Sequence, residues 1–335
     1  MPTSRRPSLR VLVVGATGYI GRHAVAECIG RGHHVVCLAR SKSGVGGKAT
    51  QADTRSLLRG AEIRFGEVSD PGSLAQALRG ERFDAVVSCL ASRSGGIDDA
   101  WNIEHRAQLA VLDLARSAGA TQFVLLSAIC VQRPKLAFQH AKLAFEEALK
   151  ASGLAYSIVR PTAFFKSLSG QVRRVKDGRP FMVFGDGELT ACKPISEADV
   201  ARFIADCLVD DDKSNAVLPI GGPGDAITPR GQGELLFRLC GREPRFRRIP
   251  VAMFDLAAGV LGPLGRVSRR ARDKAEFARI GRYYATESML VYDAAGERYD
   301  ADATPAYGQD TLEAFYARAL SDGLAGQELG DHALF

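Results

Sequence analysis

Arg10-Val11-Leu12-Val13-Val14-Gly15-Ala16-Thr17-Gly18-Tyr19-Ile20-Gly21 is the stretch on which the fold turns. Its first half is a short apolar run. Such a run reads as a parallel strand buried on both faces. Its second half repeats glycine at every third position and opens into helix-compatible sequence as far as about residue 31. Strand, glycine turn and helix in that order begin a βαβ unit.

Outward from there the alternation continues. Residues 34–39, 61–68, 84–90, 122–127, 155–159 and 216–220 read as strands, that over 61–68 half exposed because of Glu62, Arg64 and Glu67. Helices are expected over about 101–118, 136–152 and 195–208, the last with Ser196 as N-cap and Glu197 and Asp199 in its first turn. This predicts an α/β fold: a Rossmann-type doubly wound parallel sheet with a smaller, discontinuous substrate-covering region. The expected division is a cofactor-binding core over 1–165, a cover over 166–194 and 224–310, a return to the core over 195–223, and a helix and tail over 311–335.

At 335 residues the chain is long enough for two domains or one large α/β domain. Its net charge of +6 is too mild to argue for nucleic acid. The excess is local: twelve Lys/Arg against four Asp/Glu between Arg238 and Arg282. An anionic partner would meet that segment, whether a carboxylated substrate, a membrane surface or another protein; a solvated helix face explains it equally well. Seven scattered cysteines with no paired spacing fit a reducing cytoplasm, and the dispersed histidines give no metal motif. No apolar run reaches spanning length. Residues 249–267 come nearest and read as a buried or interfacial helix. An apolar face beside an arginine-rich one would suit peripheral attachment to a membrane.

Gly15, Gly18 and Gly21 permit a tight turn and let backbone N–H groups approach a pyrophosphate at a helix N-terminus. With Thr17, Tyr19 and Ile20 they form the expected dinucleotide turn. The end of the second strand selects the dinucleotide. An NAD site carries an acid there, but no acidic residue lies between Glu27 and Asp53. Arg40 takes the place, followed by Ser41, Lys42 and Lys48. A guanidinium pairs with a 2′-phosphate, so the expected cofactor is NADPH. Val68 should flank the adenine, and Cys89, Leu90 and Ala91 the cofactor ribose. Pro161, Thr162 and Ala163 should line the nicotinamide end, with Phe164 or Phe165 stacking on substrate.

The glycine spacing, Asp199-Val200-Ala201 and Arg160-Pro161-Thr162 resemble the extended short-chain dehydrogenase/reductase superfamily. A narrower resemblance spans nearly the whole chain. The stretches 89–96, 123–131, 138–142, 283–289, 304–308 and 326–330 are similar to the NADPH-dependent divinyl (proto)chlorophyllide 8-vinyl reductases. That resemblance implies reduction of the 8-vinyl group of a divinyl chlorophyllide or protochlorophyllide to ethyl, in chlorophyll or bacteriochlorophyll synthesis; the peripheral attachment suggested by residues 249–282 would then be to the photosynthetic membrane. It also implies an active-site Lys142 and an active-site hydroxyl at Ser127, both next to the cofactor. The superfamily's tyrosine, four residues before the lysine, is replaced by Phe138. Carbonyl chemistry is therefore disfavoured. The proton donor is left open, with Tyr283, Tyr284 and Tyr292 available to wall the pocket or supply a proton. Two other readings remain: a non-catalytic NADP-binding sensor, and a reductase of another conjugated double bond.

Overall fold

In the computed structural model, the described residues are 8–42, 49–93, 95–265 and 267–323. Lys48, Ser94 and the stretch 326–330 lie outside them.

Seven strands form one parallel sheet: β1 (Arg10–Val14), β2 (His34–Ala39), β3 (Glu62–Phe65), β4 (Ala85–Ser88), β5 (Gln122–Leu126), β6 (Ala155–Pro161) and β8 (Ala216–Ile220), in the order β3-β2-β1-β4-β5-β6-β8. Both faces of β1 are dry. Val11 and Val13 pack under α1 (Tyr19–Gly30) and α8 (Glu197–Cys207), against Ile20, Ala24, Val200 and Ile204. Leu12 and Val14 face the opposite layer of α3 (Pro71–Ala77), α5 (Gln108–Ser117) and α6 (Ala137–Lys150), against Leu74, Val111 and Phe145. That two-sided burial is why the strand reads as an unbroken apolar run. α2 (Gln51–Leu57) joins β2 to β3. The order reverses between β1 and β4, so the turns after these strands diverge and leave a crevice at the carboxyl edge.

Ser196 caps α8 as expected, accepting the Asp199 N–H at 2.9 Å. The helix expected from residue 101 departs from its simple form. It begins earlier, as α4 (Ile97–Ala100), and widens into a π-helical stretch, Trp101–Ala107, before α5. A π turn shifts the side-chain register, and here Glu104 falls on the buried side.

The cover holds more regular structure than its sequence predicts. β7 (Phe181–Phe184) and β9 (Phe246–Ile249) pair in parallel across a long chain separation. α7 (Val172–Lys176), α9 (Pro229–Leu239) and α12 (Leu312–Asp322) enclose them around Phe165, Phe237, Phe315 and Tyr316. α10 (Ala252–Leu264) and α11 (Arg269–Thr286) form a helical hairpin, and β10 (Val291–Asp293) pairs with β11 (Arg298–Asp300). Residues 249–267 are not a buried helix, since α10 contains no buried residue.

Glu287, just past α11, fastens the cover to the core. Its carboxylate receives Arg133 Nη1 at 2.8 Å and Tyr299 Oη at 2.5 Å, and pairs with Lys135. Burial alone would raise its pKa, but Lys135, Tyr299 and Arg133 hold it below the ordinary value of 4.5. A depressed carboxylate contributes stability above its unfolded pKa and loses it as pH falls through the folded one. The expected result is an acid limb in the melting temperature that opens below about pH 4.5. Glu287→Gln should remove that component and cost about 1–2 kcal/mol at pH 7, because its cationic partners stay partly solvated. Melting curves from pH 3 to 8 check this; parallel profiles for the two proteins would contradict it.

Candidate active site

The glycine turn is shaped by sterics. Gly15 has φ +73°, and a Cβ there would stand 2.5 Å from the Cys89 carbonyl carbon at the end of β4. A Cβ on Gly21 would lie 2.2 Å from the Gly15 carbonyl oxygen. The turn can therefore pack against both β4 and α1 only without these side chains. Gly18 begins α1 with no side-chain cap and no acid in the first turn, which leaves the helix N-terminus directed at the crevice. This cradle fits a dinucleotide pyrophosphate.

At the adenosine end, Arg40 follows β2 and is half-buried. Arg93 approaches from the loop after β4, and desolvation together with the Arg40 charge lowers its pKa. Two guanidinium groups held within electrostatic reach make a setting for a phosphate dianion. Ser41 is exposed beside them. Val68 is buried with the α3 layer, and Cys89 is buried, its thiol pushed up to about 12 by burial. It therefore stays a neutral thiol. Leu90 is half-buried and Ala91 exposed on the following loop.

At the opposite end, Lys142 projects from α6 into a narrow space lined by Glu104, Gln108, Leu125, Ser127 and Phe145. Its Nζ lies 2.8 Å from Glu104 Oε2, and both side chains are largely buried. The other oxygen, Glu104 Oε1, accepts the Ser92 N–H at 2.8 Å and the Ser92 hydroxyl at 3.1 Å. One carboxylate thus ties the lysine to the loop expected to run past the ribose. Ser127 ends β5 and donates to Glu146 Oε1 at 2.5 Å, while Arg160 pairs with the same buried carboxylate. With its proton committed to Glu146, Ser127 faces the site as an acceptor.

The expected aromatic and loop residues divide. Phe165 is 1% exposed and packs on Phe315 at 5.4 Å, so its ring belongs to the core of the cover. Phe164 instead meets Tyr19 edge-on at 6.1 Å, beside the glycine turn. Tyr19 donates to Glu197 Oε2 at 2.5 Å and carries the Lys166 ammonium over its ring. Burial and Glu197 keep its phenol protonated. Pro161 and Thr162 are buried, and the Thr162 hydroxyl is donated to the Lys193 carbonyl. Ala163 packs beside Phe138 and Cys130.

Tyr283 is packing rather than a pocket wall. It is 3% exposed and donates to the Cys130 carbonyl at 2.8 Å. Its neighbour Tyr284, crossing it at 86°, is partly exposed, and its hydroxyl is engaged with the Cys130 thiol. Desolvation there raises its pKa well above the ordinary value, so the phenol holds its proton. Tyr292 lies on the β10–β11 hairpin under Arg133. Glu104 is the functional residue that sequence reading missed. Its signal was a pair of polar residues, Glu104 and Gln108, at helical spacing on the face carrying Val111 and Ala115. Among the described residues, no group of His, Cys, Asp and Glu forms a metal site.

A Rossmann sheet with a glycine turn at its switch point defines an NAD(P)H-binding protein. The family model described as NAD(P)H-binding matches residues 15–211. The closer kinship is with divinyl chlorophyllide a 8-vinyl-reductases. The chloroplastic protein of Cucumis sativus is 55% identical over 97% of this chain and 79% of its own length. The Zea mays protein is 54% identical over 97% of this chain and 82% of its own. The chain belongs to the divinyl chlorophyllide a 8-vinyl-reductase family. Among solved structures, AtPrR2 with NADP+ and (+)pinoresinol superposes with a TM-score of 0.68 at 19% identity, over 93% of this chain and 98% of that one. That likeness bears on the fold alone.

Proposed function

We propose that this protein is an NADPH-dependent oxidoreductase that reduces the 8-vinyl group of divinyl chlorophyllide a to ethyl. The observation that carries it is a site that keeps a buried, ion-paired Lys142 but puts Phe138 four residues before it, within an apolar cluster. A carbonyl reductase of this superfamily would need a phenol there, whereas a vinyl group has no oxygen to protonate. The near-complete match to 8-vinyl-reductases gives the substrate. The sensor reading gains nothing from this fully assembled ion pair.

NADPH supplies the hydride when bound. The α1 N-terminus and the Gly15–Gly21 backbone would hold the pyrophosphate, and Arg40 with Arg93 would take the 2′-phosphate. Lys142, aimed by Glu104, would hold the ribose hydroxyls. Ser127 would offer an acceptor to the carboxamide N–H. Phe164 offers its ring to the macrocycle. Tyr284 holds a proton at its hydroxyl and delivers it to the inner vinyl carbon after the outer carbon has been reduced.

Anaerobic turnover of purified protein with NADPH and 3,8-divinyl chlorophyllide a, resolved chromatographically, tests the assignment. Conversion to the 8-ethyl product without added flavin or a second protein is expected; inertness toward this substrate and its protochlorophyllide, with NADPH bound, would refute it. Arg40→Ala should weaken NADPH binding roughly 10- to 100-fold, the worth of charge-assisted hydrogen bonds, and leave NADH unchanged. Equal losses for both cofactors in titration would remove Arg40 from the 2′-phosphate.

No helix among the described residues is long and apolar enough to cross a membrane.

A further inference from the structure

α10 is a helix with two unlike faces. Phe254, Ala257, Ala258 and Leu261 are half-buried. Phe254 anchors that side: a Cβ on Gly281 of α11 would stand 2.5 Å from its ring, and Phe184 lies 5.0 Å away. The opposite side carries Met253, Leu256, Val260 and Leu264, which are 49%, 70%, 58% and 51% exposed, and Val267 just beyond at 87%. Four of the eight large hydrophobic residues most exposed among the described residues thus lie along one stripe about 20 Å long, with a fifth at its end. Single exposed hydrophobes are ordinary, but a continuous stripe of this kind marks a contact surface.

The charge around the stripe selects the partner. Between Arg247 and Arg270 the sequence holds five arginines and one acid, Asp255. Asp255 is paired with Arg282 at 2.5 Å. Arg247, Arg248 and Arg270 are exposed at the two ends of the helix. A second copy of the chain is disfavoured, because a two-fold pairing through this stripe would set arginine-bearing ends against each other. An anionic lipid surface satisfies both features: acyl chains take the stripe and headgroups take the flanking cations.

We infer that the outer face of α10 docks this protein on an anionic bilayer. The same hairpin borders the active site, since α11 carries Tyr284 and its Ile280 sits where a Cβ on Gly95 would meet it at 2.8 Å. The inference deepens the proposed function and rests on it for its purpose. A flat, apolar tetrapyrrole partitions into the bilayer, and docking beside the site shortens its path.

Flotation of the full chain with phosphatidylcholine vesicles, with and without phosphatidylglycerol, is the test. Binding roughly tenfold stronger to the anionic vesicles, weakened by high salt, is expected. The double variant Leu256→Glu/Val260→Glu should lose at least tenfold of that binding. Its circular dichroism and its turnover of detergent-dispersed substrate should match the parent. Absent binding, equal binding to neutral vesicles, or undiminished binding by the double variant would overturn the inference. So would a parent dimer that the substitutions dissociate in sedimentation, which would give the stripe to a second copy. Failure of the parent to turn over dispersed substrate would count against the activity alone and leave the vesicle result standing.

Discussion

Glu104→Gln should lower kcat/KM for vinyl reduction by at least 100-fold and weaken NADPH binding by a smaller factor. Glu104 does two things at once. Oε1 holds the Ser92 backbone and hydroxyl, and Oε2 holds the Lys142 ammonium. Glutamine keeps an acceptor for Ser92 and nearly the same shape. What it loses is the charge facing Lys142, and its amide N–H₂ would then oppose an ammonium. Removing one partner of a buried pair leaves an uncompensated cation, which costs about 3–5 kcal/mol. Some of that cost will appear as a lower melting temperature. The rest will appear as a lysine that swings out of line. A merely structural Glu104 would lower stability while leaving turnover per folded molecule intact. Turnover normalised to NADPH-binding sites therefore separates the two, and an unchanged normalised kcat would sink the assignment. Glu104→Asp, which keeps the charge on a shorter stem, should recover part of the activity.

The framework was legible because local chemistry and tertiary role coincide there. Val11 to Val14 are buried on both faces and read as such, and Ser196 caps its helix by a rule internal to four residues. The end of β2 could also be read, and Arg40 stands directly after it, half-buried. The active site beyond that depends on register. Tyr283 and Tyr284 are adjacent, so on a helix they point about 100° apart. One enters the core and the other stays partly exposed, and nothing in a Tyr-Tyr pair says which. The same holds for Phe164 and Phe165, which leave β6 in opposite directions. Glu104 shares a helix face with Gln108 and Val111, but its partner Lys142 lies thirty-eight residues further along the chain, and no local pattern joins the two. β7 and β9 were missed for another reason. Each is four residues long, and they find each other across more than sixty residues of chain. Local propensity carries little information about such a pair.

Tyr284→Phe should reduce kcat by about 10²–10⁴, the range of a lost general acid, with NADPH affinity unchanged. Hydride addition to the outer vinyl carbon leaves negative charge on the conjugated ring system. The reduction is complete only when the inner carbon gains a proton. Phe138 cannot give one, and the Tyr283 hydroxyl is donated to the Cys130 carbonyl. The Lys142 ammonium is held against Glu104, and the Ser127 proton is committed to Glu146. The Tyr284 hydroxyl also has a partner, but it is the Cys130 thiol, a weak acceptor that holds a proton less firmly than a carboxylate or carbonyl, and desolvation keeps the phenol protonated well past neutral pH. A raised pKa keeps the acid form dominant across the physiological range but makes proton release harder. The charged product of hydride addition must therefore draw the proton, which makes transfer sensitive to isotope. The parent enzyme in D₂O should show a solvent isotope effect on kcat and place one deuterium on the inner carbon of the new ethyl group. The phenylalanine variant should bind NADPH and pigment normally and turn over slowly. If it retains full kcat, the proton arrives by another route, and Lys142→Met in the same assay would show whether that route is the lysine.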